Sequence, residues 1–209
     1  MLARPKRTVL VSKSLSAVGI PKKFQIQTLD NFRTYGNEGL SKVKLFARDY
    51  IEHLHSNFSA NKGIYFYGSN GVGKTMLASI IAKECYRWRF SVRRLTFMEY
   101  INLYTRSWGA KTAYDKEVYE EEFYQKAKGV EFLILEEVGK EVVGTLNVTI
   151  LEDCLRYRED RGLVTIFCTN LTPDILRERY GESVYSLVKG NTTPVKIVSR
   201  DKRGERLVF

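Results

Sequence analysis

Cysteine is scarce in this chain, and what there is lies scattered. Cys85, Cys154 and Cys168 are odd in number, far apart and without a C-x-x-C pair, so neither a disulfide framework nor a zinc site is indicated. Histidine occurs only at 53 and 55. A two-residue spacing on a helix points the rings in different directions, which disfavours a shared metal. No apolar run approaches the ~20 residues a membrane span needs. Val9-Leu10-Val11, behind a basic N-terminus, is too short for the core of a signal peptide. Internal repeats and low-complexity segments are lacking too. These absences point to a reducing cytoplasm and to no membrane partner. With 209 residues the chain suits one well-buried domain and is short for two.

Acidic residues are also in the minority. Lys and Arg number 34 against 24 Asp and Glu, a formal net charge of +10. An excess of that size suggests an anionic partner, of which nucleic acid is the commonest.

Against this background one stretch stands out. Gly68-Ser69-Asn70-Gly71-Val72-Gly73-Lys74-Thr75 has the spacing G-x-x-x-x-G-K-[ST], the phosphate-binding P-loop. It follows an apolar run, Gly63 to Tyr67, and precedes a helical pattern that begins with Met76. Glycines let successive backbone N–H groups turn inward around phosphates, and the helix N-terminus behind them favours the same anion. Lys74 can reach the β- and γ-phosphates, and the Thr75 hydroxyl can ligate Mg²⁺. ATP and Mg²⁺ are the cofactors expected, with residues 68–76 as the binding loop.

Elsewhere, residues 1–20 read as a basic arm outside the core and residues 21–209 as the ATPase domain. Apolar residues at helical spacing from Leu40 to Phe58 predict one amphipathic helix, and Phe90–Phe97 reads as a strand. Residues 98–128 read as one or two helices mixing aromatics with bases. Among them Tyr104, Arg106, Trp108 and Lys111 are candidates for stacking on and neutralising a single nucleic-acid strand. The same aromatics could instead fill a core, and Glu117 and Glu120–Glu122 argue against a uniformly basic groove. Val130–Glu137 reads as a buried strand ending in two carboxylates, the Walker B pattern. Glu136 then holds the Mg²⁺ shell and Glu137 polarises the attacking water. A helix from Thr145 to Asp160 and a buried strand from Leu163 to Cys168 follow. That strand closes on Thr169-Asn170, where Asn170 can touch the γ-phosphate or the water. A helix at 171–188, a strand at Val195–Val198 and a basic tail from Arg200 complete the chain. Alternating strands and helices imply an α/β parallel sheet.

Taken together, these segments resemble a known family. Gly-Ile-Pro-Lys-Lys-Phe (19–24), Leu-Asp-Asn-Phe (29–32), the P-loop, Leu-Ile-Leu-Glu-Glu-Val-Gly (133–139) and Thr-Ile-Phe-Cys-Thr-Asn-Leu (165–171) carry the likeness. Leu-Arg-Glu-Arg-Tyr-Gly-Glu-Ser-Val-Tyr-Ser-Leu (176–187) continues it. The pattern resembles the ATPase domain of bacterial and phage replicative helicase loaders of the DnaC/DnaI type, and the related IstB-like transposition helper ATPases. The resemblance implies a P-loop NTPase of the AAA+ initiator clade, with a parallel sheet flanked by helices and a lid reduced or absent. It also implies ATP-dependent homo-oligomerisation, single-stranded DNA binding and delivery of a DnaB-family replicative helicase onto DNA in the bacterial cytoplasm. Lys74 and Thr75 match the Walker A contacts, Asn170 matches sensor I, and Arg203 matches sensor II.

Three departures shape the expectations. Glu136 stands where the family usually has Asp, one methylene shorter. Ser183 and Leu187 occupy the slots of the arginines that act on a neighbour's nucleotide, which implies weak turnover, with Arg158, Arg177 and Arg179 as nearby substitutes. The helicase-binding N-terminal domain of the cellular loaders is missing or cut to about twenty residues, a compact, phage-like form. The resemblance therefore points to an ATP-dependent helicase loader. A transposition helper acting on duplex DNA and a nucleotide-gated adaptor with little turnover are the alternatives.

Overall fold

The computed structural model describes residues 15–142 and 144–199. Its frame is five strands, β1 (Gly63–Tyr67), β2 (Val92–Thr96), β3 (Phe132–Glu136), β4 (Val164–Thr169) and β5 (Thr192–Lys196). All pairings are parallel, in the order β2-β3-β4-β1-β5. The helices are α1 (Lys22–Gln25), α2 (Glu38–Glu52), α3 (Leu54–Ser59), α4 (Lys74–Arg87), α5 (Phe97–Thr105), α6 (Ala113–Phe123), α7 (Thr145–Asp160) and α8 (Pro173–Asn191).

A parallel sheet needs both faces covered, so its central strands read as unbroken apolar runs. Phe132 to Leu135 of β3 and Val164 to Thr169 of β4 are buried throughout. Side chains alternate between two cores. Ile64, Phe66, Phe132, Ile134 and Ile166 pack with Leu40 and Val43 of α2 and with Leu77 and Ile81 of α4. Tyr65, Leu133, Leu135 and Phe167 pack on the other side with α5, α7 and α8, through Tyr100, Leu151 and Leu176. The register sets Tyr67 beside Thr169 and Glu136 beside Cys168, so the carboxyl ends of β1, β3 and β4 lie level. In an open α/β sheet such a level edge is where ligands bind.

Several boundaries differ from the sequence reading. Residues 15–20, assigned to an arm, belong to the core: Leu15, Val18 and Ile20 are buried, and the Arg94 N–H donates to the Val18 carbonyl at 2.8 Å along the edge strand β2. Three apolar residues in a basic context carry too little pattern to reveal that docking. The rest of the arm, residues 1–14, lies outside the described residues, as does the basic tail from Arg200. The helix expected from Leu40 to Phe58 breaks at His53. Leu54 remains buried beyond the break, which is why the apolar spacing runs through it unmarked. The last strand begins at Thr192 rather than Val195, because β1 supplies backbone partners to polar residues there. Its Pro194 is tolerated because β5 lies at the sheet edge. Among the described residues no helical lid follows β5.

Candidate functional site

The P-loop leaves β1 at Gly68 and enters α4 at Lys74. Gly68 has φ of 147°, and a Cβ there would lie 2.2 Å from the Ile197 carbonyl oxygen, so only glycine lets the loop pass the chain beyond β5. Gly73 has φ of 109°, and its Cβ would meet the Phe32 ring at 3.0 Å. Val72 is buried under the loop and Met76 packs on the core, which anchors the loop at both ends. The N–H groups that open α4 therefore face the cleft unpaired within the helix, a favourable environment for phosphate. Lys74 Nζ donates to the Gly68 and Ser69 carbonyls, each at 2.7 Å, and to Asn170 Oδ1 at 2.8 Å. Asn170 in turn donates to Asn70 Oδ1 at 2.9 Å. The residue expected to act as sensor is thus in direct contact with the loop lysine.

The two strand-end carboxylates have different surroundings. Glu136 is buried, and its Oε2 accepts from the Arg94 guanidinium. Its Oε1 has no hydrogen-bond partner among the described residues. Burial pushes the Glu136 carboxyl up, against the opposing pull of Arg94 and the Thr75 hydroxyl beside it. An unpartnered carboxylate oxygen next to a hydroxyl is a pair of hard oxygen donors, which fits a magnesium ion. Glu137 is half-exposed, with φ of 62°, a left-handed backbone on a residue that has a Cβ. Its N–H donates to the Cys168 carbonyl at 2.9 Å, and its carboxylate pairs with Lys140 at 2.5 Å. Non-glycine residues held in this region cluster at sites where geometry matters more than local comfort.

These groups line one cleft of about 1500 Å³. Its far wall is the segment from Pro21 to Tyr35, including Lys23, Phe24 and Phe32. Lys83 of α4 reaches back to hold the Gln25 and Gln27 carbonyls of that wall. Sequence reasoning missed this wall as lining, although two of the family-like motifs lie in it. It also missed Arg94 and Lys140, which line the cleft together with Arg179, one of the suggested substitute arginines. Arg94 sits on an alternating strand and announces nothing about which carboxylate it meets.

The remaining candidates separate. Arg203 lies outside the described residues. Leu187 is buried in the core, and Ser183 accepts from Arg156 at 2.8 Å while donating to Glu152 at 2.7 Å. Arg158, suggested as a substitute arginine, is fully buried. It donates to Thr165 Oγ1 and to the carbonyls of Lys128, Val130, Glu131 and Val164. That arginine holds α7 against the strands and cannot reach out of the molecule. Of the proposed nucleic-acid contacts, Trp108 is 61% exposed with its ring 5.9 Å from Tyr104, edge on. Arg106 lies over the Tyr119 ring at 4.2 Å and pairs with Glu122 at 2.6 Å. Lys126 and Arg106 hold the Glu122 carboxyl below its usual range. Lys111 is exposed. Tyr100 and Phe123, from the same aromatic run, are core residues.

Comparison with known proteins agrees with this fold. The replicative helicase loader DnaI of Bacillus subtilis (strain 168) is 28% identical over 120 residues, 57% of this chain and 36% of that protein. The chain thus spans about a third of that relative's length. Among solved structures, the DnaC helicase loader is similar with a TM-score of 0.68 and 21% identity, over 85% of this chain and all of that one. A DnaI structure gives a TM-score of 0.67 and 22% identity, over 88% of this chain and 94% of that one. Both likenesses speak for the fold. No helix among the described residues is long and apolar enough to cross a membrane. Residues 64–180, from β1 through the loop, both carboxylates and Asn170 to Tyr180, match the model of the ATPase family associated with various cellular activities (AAA), and the chain belongs to that family.

Proposed function

We propose that this protein hydrolyses ATP and uses the cycle to bind a replicative ring helicase and deliver it onto single-stranded DNA. The observation that carries the reading is the reach of Lys74 across the cleft to Asn170, with Glu136 at the end of the neighbouring strand and Glu137 directly after it. In this reading residues 68–76 cradle the phosphates and Thr75 and Glu136 hold Mg²⁺, which supplies charge neutralisation between the phosphates. Glu137 takes the proton of the attacking water, and Asn170 orients that water. Arg203 contacts the nucleotide from the segment beyond β5. Trp108, Tyr104, Arg106 and Lys111 meet the DNA strand. Similarity to the loaders supports the helicase as partner, and the +10 net charge supports the DNA.

The test is co-sedimentation of the full chain with the host replicative helicase, with and without ATP. A complex is expected, ATP-dependent in the native protein and lost in Lys74→Ala. Glu137→Gln should keep nucleotide binding and lose turnover. Failure to bind the helicase, with tight ATP-dependent binding to duplex DNA instead, would replace the loader by a transposition helper.

A further inference from the structure

Leu187 is core and Ser183 is bound to Glu152 and Arg156. On the reading of the cleft as an ATPase site, then, neither slot supplies the cation that such a site needs opposite its lysine. The structure offers one elsewhere. Arg179 lies on α8 and lines the same cleft as Lys74, Glu137 and Asn170. Its neighbours fix it there. The Tyr180 hydroxyl donates to buried Glu141 Oε1, and Glu141 Oε2 accepts from the Gly139 N–H at 3.0 Å. Leu171 packs so closely on Gly139 that a Cβ there would lie 2.6 Å from its Cδ1, and Thr169 Oγ1 donates to the Val138 carbonyl at 2.7 Å. Residues 137–141, directly after the Glu136 strand, and the first half of α8 therefore form one tied unit. It ends where Gly181 kinks the helix with φ of 85°.

The surrounding cations are engaged. Arg94 serves Glu136, Lys140 serves Glu137, Arg156 serves Glu152 and Arg177 serves Glu182. Arg179, half-buried at the cleft wall, makes no hydrogen bond or ion pair among the described residues. A guanidinium presents a planar fork that matches two phosphate oxygens.

We propose that Arg179 is a catalytic residue acting in cis, its guanidinium meeting the γ-phosphoryl oxygens of the nucleotide on its own P-loop as charge grows on them in the transition state. In hydrolysis the water oxygen bonds to the γ-phosphorus and the bond to the β–γ bridging oxygen breaks, its electron pair leaving with ADP. The water's proton goes to Glu137. Arg179 makes and breaks no covalent bond; it neutralises charge that grows on the phosphoryl oxygens.

The experiment measures single-turnover ATP hydrolysis and the affinity for a fluorescent ATP analogue in wild type, Arg179→Gln and Arg179→Ala. An arginine in this role is worth about 10³–10⁵ in rate elsewhere. A fall of at least about 100-fold is expected, with affinity changed by no more than about threefold, because the interaction forms in the transition state. Melting curves close to wild type would separate this from misfolding, and Arg179→Gln keeps most of the side chain's packing. Each variant is then mixed with Lys74→Ala protein, which carries an intact Arg179 but binds no nucleotide. Action in cis predicts no recovery on mixing; recovered hydrolysis would show that Arg179 serves a neighbour and would overturn the proposal. Rates equal to wild type in both variants would overturn it while leaving the ATPase reading intact. A wild type that binds ATP and never hydrolyses it would overturn both.

Discussion

The pairing of Arg94 with Glu136 makes a demanding test of how this site is held together. Their side chains are only 15% and 4% exposed. Replacing Arg94 by Met keeps the length and apolar stem of the side chain and removes the charge, leaving the Glu136 carboxylate buried with no cation beside it. Breaking a buried pair on one side costs about 3–5 kcal/mol, because the remaining ion has already lost its water. The variant also loses the guanidinium's 3.0 Å bond to the Gly19 carbonyl, while the backbone bond to Val18 stays. For a domain of this size about 1 kcal/mol moves the midpoint by about 2–4 °C, so a fall of about 6–20 °C is expected. Calorimetry with and without Mg²⁺ and ATP carries the argument further. A divalent cation arriving with nucleotide restores a positive partner to Glu136, so Arg94→Met should gain more from Mg²⁺ and ATP than the native protein gains. Glu136→Gln added to Arg94→Met should recover part of the lost stability, since the orphaned charge is gone, and such coupling is what contacting residues show. A midpoint lowered by less than about 2 °C, or a double variant no better than Arg94→Met, would refute the claim that Arg94 holds this carboxylate.

Three further outcomes follow from single contacts. Arg158→Met removes five hydrogen bonds, three of them fully buried, and should cost about 3 kcal/mol or more in urea unfolding. Nucleotide affinity should stay near native at temperatures where the variant is folded; lost turnover with native stability would instead make Arg158 a functional arginine. Gly68→Ala forces a Cβ to 2.2 Å from the Ile197 carbonyl oxygen at a φ of 147°. The loop must move, at a cost of about 1–3 kcal/mol in strain, and analogue binding should weaken at least tenfold; unchanged affinity would show that the loop has room. Trp108→Ala should lower affinity for a single DNA strand by about 1–3 kcal/mol, the worth of one stacked base, without shifting the melting curve, as fluorescence anisotropy can check. Equal binding by the variant would move the DNA contact away from Trp108.

What the sequence revealed and what it concealed divide along one physical line. The P-loop was legible because its chemistry is contiguous: eight neighbouring residues supply turn, amides, lysine and hydroxyl. Strands β3 and β4 were legible because burial on both faces leaves unbroken apolar runs, and α7 was bounded correctly at Thr145 and Asp160. Residues whose role depends on a distant partner were concealed. Arg94 meets Glu136 across 42 positions of chain, and Tyr180 meets Glu141 across 39. Nothing in the local pattern records either meeting. The same division corrects the reading of the charge. A count of lysines and arginines is usually a count of surface charge, since ions are seldom buried unpaired. Here Arg158 is buried and held by neutral carbonyl and hydroxyl oxygens, and Lys83 is spent on the carbonyls of the cleft wall, neither with an acid to cancel it. Part of the +10 excess is therefore structural. The aromatic run divides in the same way: Tyr100 and Phe123 go to the core and Tyr104 packs partly against it, leaving Trp108, Tyr124 and the 75%-exposed Tyr114 as the faces most open to a base. Any DNA surface on this protein must then rest on those exposed rings and on the cations around them, and much less on the net charge that first suggested it.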